Sequence, residues 1–364
     1  MWFLLLLIIP AFILAVALFI RLPRFGKNPS GERLEEIKKT PAFRDGKFEN
    51  TEHTPDFTNG GTFWKVSRYF LFHKNEKAKP PRPLPNKKTD LHKLDKNKNT
   101  LVWFGHSGYF MQVDGKRFLV DPVFSGAASP VSFTTRSFEG SDVYAVNDIP
   151  ETDYLILTHD HWDHLDYKTV LALQPKVKNI ITSLGVGSHL ERWKIDPKKI
   201  TELYWGDEHM LADGFKINAA TARHFSGRGF KRAQTLWSSF VLTTPNTRIF
   251  IGGDSGYGEH FKKIGNEFGP FDLAILECGQ YNAFWQNIHA MPEEVVQASK
   301  DLKAEKTLPV HWAKFALSKH DWDDPILRVT REAEKENHSL FTPMIGEAMD
   351  INNFTSSRWW ESVR

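Results

Sequence analysis

One short segment concentrates the chemistry: Thr158-His159-Asp160-His161-Trp162-Asp163-His164. Three imidazoles and two carboxylates within six positions, at the end of an apolar run, would be a costly crowd of polar groups without a positive charge to hold them. A divalent metal supplies that charge, and alternate side chains of a loop reach two neighbouring ions. His159 and His161 suit one ion, and Asp163 and His164 suit the next. Three further donors follow strand-like runs: His224, Asp254 after Ile249-Phe250-Ile251, and His311 after Leu308-Pro309-Val310. Side chains at neighbouring strand ends converge on one rim of a sheet. Cys278 is the only cysteine, so His and carboxylate must hold any metal, zinc first, with manganese or iron(II) as alternatives. Asp160 and Trp162 alternate with the donors and are expected to point away. His189, His209, His260 and His320 lack the strand-end context and are read as surface or core residues.

These residues need a scaffold, and the sequence supplies one from about residue 100. Leu101–Gly105, Phe110–Val113 and Arg117–Val120 read as strands, the last two joined by the hairpin signal Asp114-Gly115. Further strands are expected at Tyr154–Leu157, Asn179–Thr182, Phe215–Ala220, Leu236–Leu242, Arg248–Ile251, Leu273–Leu276 and Thr307–Pro309. Helices are expected after Asp166 as N-cap, at Tyr257–Phe268, and after Pro292 in a first turn. Hairpins followed by strands interleaved with helices predict a layered α/β or α+β domain.

The chain has 364 residues, with 47 Lys and Arg against 44 Asp and Glu, a net of +3 that does not mark a nucleic-acid binder. No strand-borne aromatic pair suggests base stacking either. Residues 1–20 carry no charge and are read as a retained single-pass helical anchor. Arg21, Arg24 and Lys27 behind it place the remainder on the cytoplasmic side. Residues 21–99 are read as a basic, proline-rich juxtamembrane region. Within it Lys65 to Lys98 hold eleven cations against three acids, beside Trp64, Tyr69, Phe70 and Phe72, and an anionic membrane surface is the expected partner. The catalytic domain is assigned to 100–345 and a tail to 346–364.

The pattern His-x-His-x-Asp-His followed by His, Asp and His resembles the metallo-β-lactamase-fold superfamily of dinuclear hydrolases, over about residues 100–345. The resemblance implies an αββα sandwich of two similar halves. It also implies that His159, His161 and His224 hold one metal, that Asp163, His164 and His311 hold the other, and that Asp254 bridges them. A narrower resemblance is to the N-acylphosphatidylethanolamine-hydrolysing phospholipase D family. It rests on Trp103-Phe104-Gly105-His106, Asp121-Pro122-Val123-Phe124, Leu165-Asp166-Tyr167, Thr235-Leu236-Trp237-Ser238-Ser239, Gly253-Asp254-Ser255-Gly256-Tyr257 and His311-Trp312-Ala313. His289 before Pro292-Glu293-Glu294 fits as well. The anchor and Val131–Gly140 depart from that pattern.

Two cations can lower the pKa of a shared water and neutralise charge on a phosphodiester. That chemistry suits phosphodiester hydrolysis with Asp163 catalytic, and the narrower resemblance implies a phospholipid substrate and a catalytic His289; a lactone or other carboxyl ester is the alternative substrate. A membrane-tethered metal-binding protein is the non-enzymatic alternative, and a homodimer is left open. Asp121 is a candidate orienter of a ligating imidazole, and His106 either supports a ligand or is structural. Trp237, Tyr281, Phe284 and Trp285 are candidates for an apolar acyl groove.

Overall fold

Period-two burial along the strands builds two opposed cores. Leu101 and Trp103, Met111 and Val113, and Phe118 and Val120 enter one cluster, while Val102, Phe110 and Leu119 enter a second on the opposite face. The computed structural model describes residues 2–364, with side chains from residue 8 onward. A short ribbon, β1 (Phe43–Arg44) and β2 (Lys47–Phe48), precedes the first half. That half contains β3 (Thr100–Trp103), β4 (Tyr109–Val113), β5 (Lys116–Val120), β6 (Thr152–Leu157), β7 (Val177–Ser183) and β8 (Ile200–Leu203). The second half contains β9 (Glu208–Met210), β10 (Lys216–Ala220), β11 (Ser239–Thr243), β12 (Arg248–Ile251), β13 (Leu273–Glu277), β14 (Lys306–Val310) and β15 (Ser339–Leu340). Strand β16 (Ala348–Asp350) returns to the first sheet.

The sheets run β16-β3-β4-β5-β6-β7-β8 and β15-β14-β13-β12-β11-β10-β9. Each consists of three antiparallel pairings and three parallel ones, so the halves repeat one plan. At Asp114-Gly115 both residues have positive φ, 46° and 80°, and Val113 pairs with Lys116, as the two-residue hairpin requires.

The helices are α1 (Trp2–Phe19), α2 (Glu32–Lys38), α3 (Phe63–Phe72), α4 (Tyr167–Leu173), α5 (Gly187–Arg192), α6 (His260–Phe268), α7 (Pro292–Asp301) and α8 (Asp324–Lys335). Val170 and Leu173 of α4 and Leu190 of α5 cover the first sheet. Phe261, Ile264, Val295, Val296, Ile326 and Val329 of α6 to α8 join the core of the second. The layers are thus helix, sheet, sheet, helix. Asp166 caps α4 by accepting from the Lys168 N–H, and Pro292 opens α7.

The expected membrane anchor is corrected. Among the described residues no helix is long and apolar enough to cross a membrane. Part of the expected span, Met1 and the side chains of residues 2–7, lies outside the described residues. The single-pass anchor and the cytoplasmic placement derived from it therefore lose their basis.

Residues 21–99 wrap the domain. Ile37, Phe48, Leu84 and Leu91 are buried, Arg33 pairs with Glu191 and with Glu202 at 2.8 Å, and the Trp193 indole N–H donates to the Pro23 carbonyl at 2.7 Å. Residues 346–364 contribute β16 and a final turn whose Trp359, Trp360 and Val363 are buried in the main core.

Candidate metal centre

Every candidate donor stands just beyond the carboxyl end of a strand. His159 to His164 follow β6, His224 follows β10, Asp254 follows β12 and His311 follows β14. The backbone makes room for this convergence. At Gly253 a Cβ would lie 2.7 Å from the Ser238 carbonyl oxygen and 3.1 Å from Thr158 Cβ. His311, at φ 70°, adopts a left-handed conformation that a non-glycine residue takes only where its surroundings enforce it.

The seven donors meet in two groups. His159, His161, His224 and Asp254 form one; Asp163, His164 and His311, with His106, form the other. Asp254 stands between them, with Oδ2 3.2 Å from His164 Nε2, 3.8 Å from His159 Nε2 and 3.7 Å from His224 Nε2, and Oδ1 3.2 Å from His311 Nδ1. Asp160 points away: it accepts from His189 Nε2 at 3.0 Å, the Gly227 N–H at 2.6 Å and the Thr235 hydroxyl at 3.0 Å. Arg228 stacks on Trp162 at 3.9 Å and donates to the Asp160 and Leu165 carbonyls, clamping the metal loop from behind.

The donor set fits divalent metals. Two bonds of about 2.05 Å to one tetrahedral ion leave their nitrogens roughly 3.3 Å apart. His161 Nδ1 lies 3.0 Å from His159 Nε2 and 3.1 Å from His224 Nε2. Among the described residues His164 Nε2, His311 Nε2 and Asp254 Oδ1 are buried without a hydrogen-bond partner, which an interior tolerates only where another ligand completes them. Burial, then the neighbouring imidazoles, pushes His159 and His224 well below their ordinary pKa, so both are neutral and carry free lone pairs. At His164 burial acts the same way, but Asp254 and Asp163 outweigh it and push the ring well up. The cluster demands positive charge.

Supporting contacts fix which nitrogen faces inward. Asp121 Oδ2 accepts from His164 Nδ1 at 2.8 Å and from the Thr158 hydroxyl at 2.6 Å, while Oδ1 accepts from the Thr158 N–H at 2.9 Å. The Thr158 oxygen in turn lies 3.1 Å from His159 Nδ1. His224 Nδ1 donates to the Ile288 carbonyl at 2.8 Å, and Asn50 bonds both the N–H and the C=O of His224. His106 is buried with Nε2 2.8 Å from Asp163 Oδ2. Although burial alone would raise the Asp163 carboxyl, His164 and then His106 hold it well below the usual carboxylate range.

A family model described as a Beta-lactamase superfamily domain matches residues 116–312, more than half of the chain. This chain belongs to the metallo-β-lactamase superfamily. It is a metal-dependent hydrolase. An uncharacterized protein of Mycobacterium tuberculosis is 34% identical over 328 residues, 89% of this chain and 88% of that one. N-acyl-phosphatidylethanolamine-hydrolyzing phospholipase D 1 of Caenorhabditis elegans is 31% identical over 229 residues, 59% of this chain and 64% of that protein. Among solved structures, a metallo hydrolase of Ignicoccus hospitalis aligns with a TM-score of 0.53 at 19% identity, over 69% of this chain and 97% of that one, which is a likeness of fold.

Around this superfamily site a cavity of about 300 Å³ opens from the donors to the surface, lined on its apolar side by Phe57, Val66, Phe70, Trp285, Ile288 and Leu317, with Arg232 at its wall. Helix α3 forms its roof, Phe70 stacking on Trp285 at 5.6 Å. Of the aromatics expected in an acyl groove, Trp285 lines this cavity. Trp237 instead lies behind His224, donating to Asn50 Oδ1 at 2.9 Å. Tyr281 does not line the cavity either; its hydroxyl donates to Asp324 and its ring stacks on His320. Phe284 packs against Tyr69 on the outer side. His289 does line it, with its ring centroid 4.9 Å from that of His224 and 5.3 Å from that of His311. Sequence reasoning missed Glu277, the last residue of β13, a buried carboxylate grouped with Asp254, His289 and His311. It interrupts the apolar run Leu273-Ala274-Ile275-Leu276 at a strand end, the context that identified the other donors.

Proposed function

We propose that this hydrolase is a phosphodiesterase of the phospholipase D type. Its substrates would be N-acylphosphatidylethanolamine-like lipids, cleaved to phosphatidate and an N-acylated amino alcohol. The observation that carries the reading is the direct opening of a two-metal donor cage into an apolar cavity with one cation, Arg232, at its wall. The related worm phospholipase D supports it.

A metal pair held by the cage supplies Lewis-acid charge and a water deprotonated near neutral pH. The chain's own residues do the rest. Asp121 and Thr158 fix the tautomers of His164 and His159. Arg232, stacked on Phe225 at 3.9 Å, offers its guanidinium to the phosphate, and Phe70, Val66 and Trp285 exclude water and take acyl chain. The lipid would be met at a membrane surface peripherally, through the outward Phe63, Trp64, Leu71 and Phe72 of α3 beside Lys65 and Arg68.

The test is lipid mass spectrometry of zinc- or manganese-loaded protein incubated with an N-acylphosphatidylethanolamine, in parallel with a homoserine lactone. Release of phosphatidate, abolished by Asp254→Ala or Asp163→Ala in folded protein, is expected. Lactone hydrolysis without diester cleavage would overturn the reading.

A further inference from the structure

Glu277 is 4% exposed and ends a central parallel strand, yet among the described residues no Lys or Arg pairs with it. Its Oε1 accepts from the Ser255 N–H at 2.8 Å and the Ala290 N–H at 3.3 Å, which pin the carboxyl group. Its Oε2 lies 2.7 Å from His289 Nδ1. A buried carboxylate is expensive to keep, and here it has a single charge partner, an imidazole on the cavity wall. With Nδ1 engaged, Nε2 is the nitrogen of His289 left for the cavity, beside the rings of His224 and His311. A third metal between Glu277 and His289 is the competing account of the group they form with Asp254 and His311. Their 2.7 Å contact is a hydrogen-bond length, and Asp254 and His311 already serve the two-metal cage.

We infer that Glu277 is a positioning residue that fixes His289 with Nε2 toward the leaving oxygen of the substrate, so that His289 hands that oxygen its proton. The inference rests on the phosphodiesterase reading above. In the step, the oxygen of a water-derived hydroxide bonds to phosphorus and the P–O bond to the leaving alcohol breaks. Its electron pair stays on the leaving oxygen, which takes the Nε2 proton. The ring regains a proton from the next water as that water becomes hydroxide, so each turnover consumes one water.

The experiment compares the parent with Glu277→Gln, Glu277→Asp, His289→Ala and the Glu277→Gln, His289→Ala double variant, all in the full chain. Two phosphodiesters serve as substrates, one with an alkyl and one with a p-nitrophenyl leaving group; metal content and circular dichroism are measured alongside. A proton donor is worth about 100-fold or more where the leaving group is a poor one. The alkyl diester should lose about that factor in kcat with KM within twofold, in Glu277→Gln and His289→Ala alike. The double variant should be no worse than His289→Ala, Glu277→Asp should recover part of the loss, and the p-nitrophenyl diester should lose less than about tenfold. Equal losses on both diesters, or a drop of one metal equivalent in Glu277→Gln, would overturn the inference. If the parent cleaves neither diester, the phosphodiesterase reading fails by itself. The contact is then read from the ¹⁵N resonances of His289, identified by their loss in His289→Ala; they should move in Glu277→Gln, and unchanged resonances would refute the pairing.

Discussion

Replacing Asp121 by Asn removes one charge and changes almost nothing in shape, which makes it the sharpest probe of how the cage is oriented. Asp121 sits at φ 39°, a conformation Asn tolerates well, so the backbone is not disturbed. The native carboxylate takes three donors, from the Thr158 N–H, the Thr158 hydroxyl and His164 Nδ1. An Asn whose oxygen keeps the Thr158 N–H must turn its NH₂ toward His164. That favours the His164 tautomer with Nδ1 bare and a proton on Nε2, the nitrogen that must be free to take metal. The flipped amide satisfies His164 but leaves the buried Thr158 N–H facing another donor, at about 1–3 kcal/mol. Either way the penalty matches the 10- to 100-fold loss of affinity typical when such a supporting carboxylate is lost, or roughly 1.4–2.8 kcal/mol. Zinc competition against a chromophoric chelator measures it, with circular dichroism showing that the fold persists. Zinc affinity within twofold of the parent would refute the orientation argument.

Three further outcomes are expected. Arg228→Met should lower unfolding stability by about 2–4 kcal/mol in urea titrations, because the Asp160 and Leu165 carbonyls lose a buried donor; a change under about 0.5 kcal/mol would contradict the clamp. Phe70→Asp should raise KM for a long-chain lipid about tenfold or more while leaving a short water-dissolved diester within twofold; equal effects on both would remove α3 as an acyl-chain wall. For Asp160, burial alone would raise the carboxyl, but the His189 contact outweighs it and brings the group down to about 2 from an ordinary 3.8. A depressed folded value means stabilisation that is present above about pH 4 and lost as pH falls toward 2, worth about 2 kcal/mol. Urea unfolding of metal-free parent and Asp160→Asn should therefore show a gap at pH 6 that narrows by pH 3; a gap of equal size at both would count against this.

The seven candidate donors were legible because each lies past a strand-like run, and a strand end is where a sheet delivers side chains to a shared rim. Glu277 satisfies the same rule and was passed over because a lone Glu after Leu276 carries no motif; only the fold places it beside His289. Helix α3 was hidden for another reason. Val66 and Phe70 face the site at helical spacing, but they lie within a cation-rich, proline-rich stretch whose composition reads as an extended connector. The anchor expectation rests on apolar composition over residues 1–20 alone, whereas among the described residues no helix is long and apolar enough to cross a membrane.

The segment after residue 345 shows how much of the site is held from a distance. Trp359 stacks on Trp312 at 5.3 Å and Trp360 meets it edge-on at 5.8 Å, while Trp312 also packs on Trp103 at 5.4 Å. Trp312 adjoins His311, and its carbonyl accepts the His106 N–H at 2.8 Å; the His106 carbonyl accepts the His311 N–H at 3.0 Å. Two left-handed residues, His106 at φ 55° and His311 at φ 70°, are thus braced against each other and against a tryptophan cluster closed by the chain's last turn. Strained backbone of this kind persists only where packing over-determines it. The C-terminal tryptophans are far from the donors in sequence, yet they hold in place the loop that carries one of the seven.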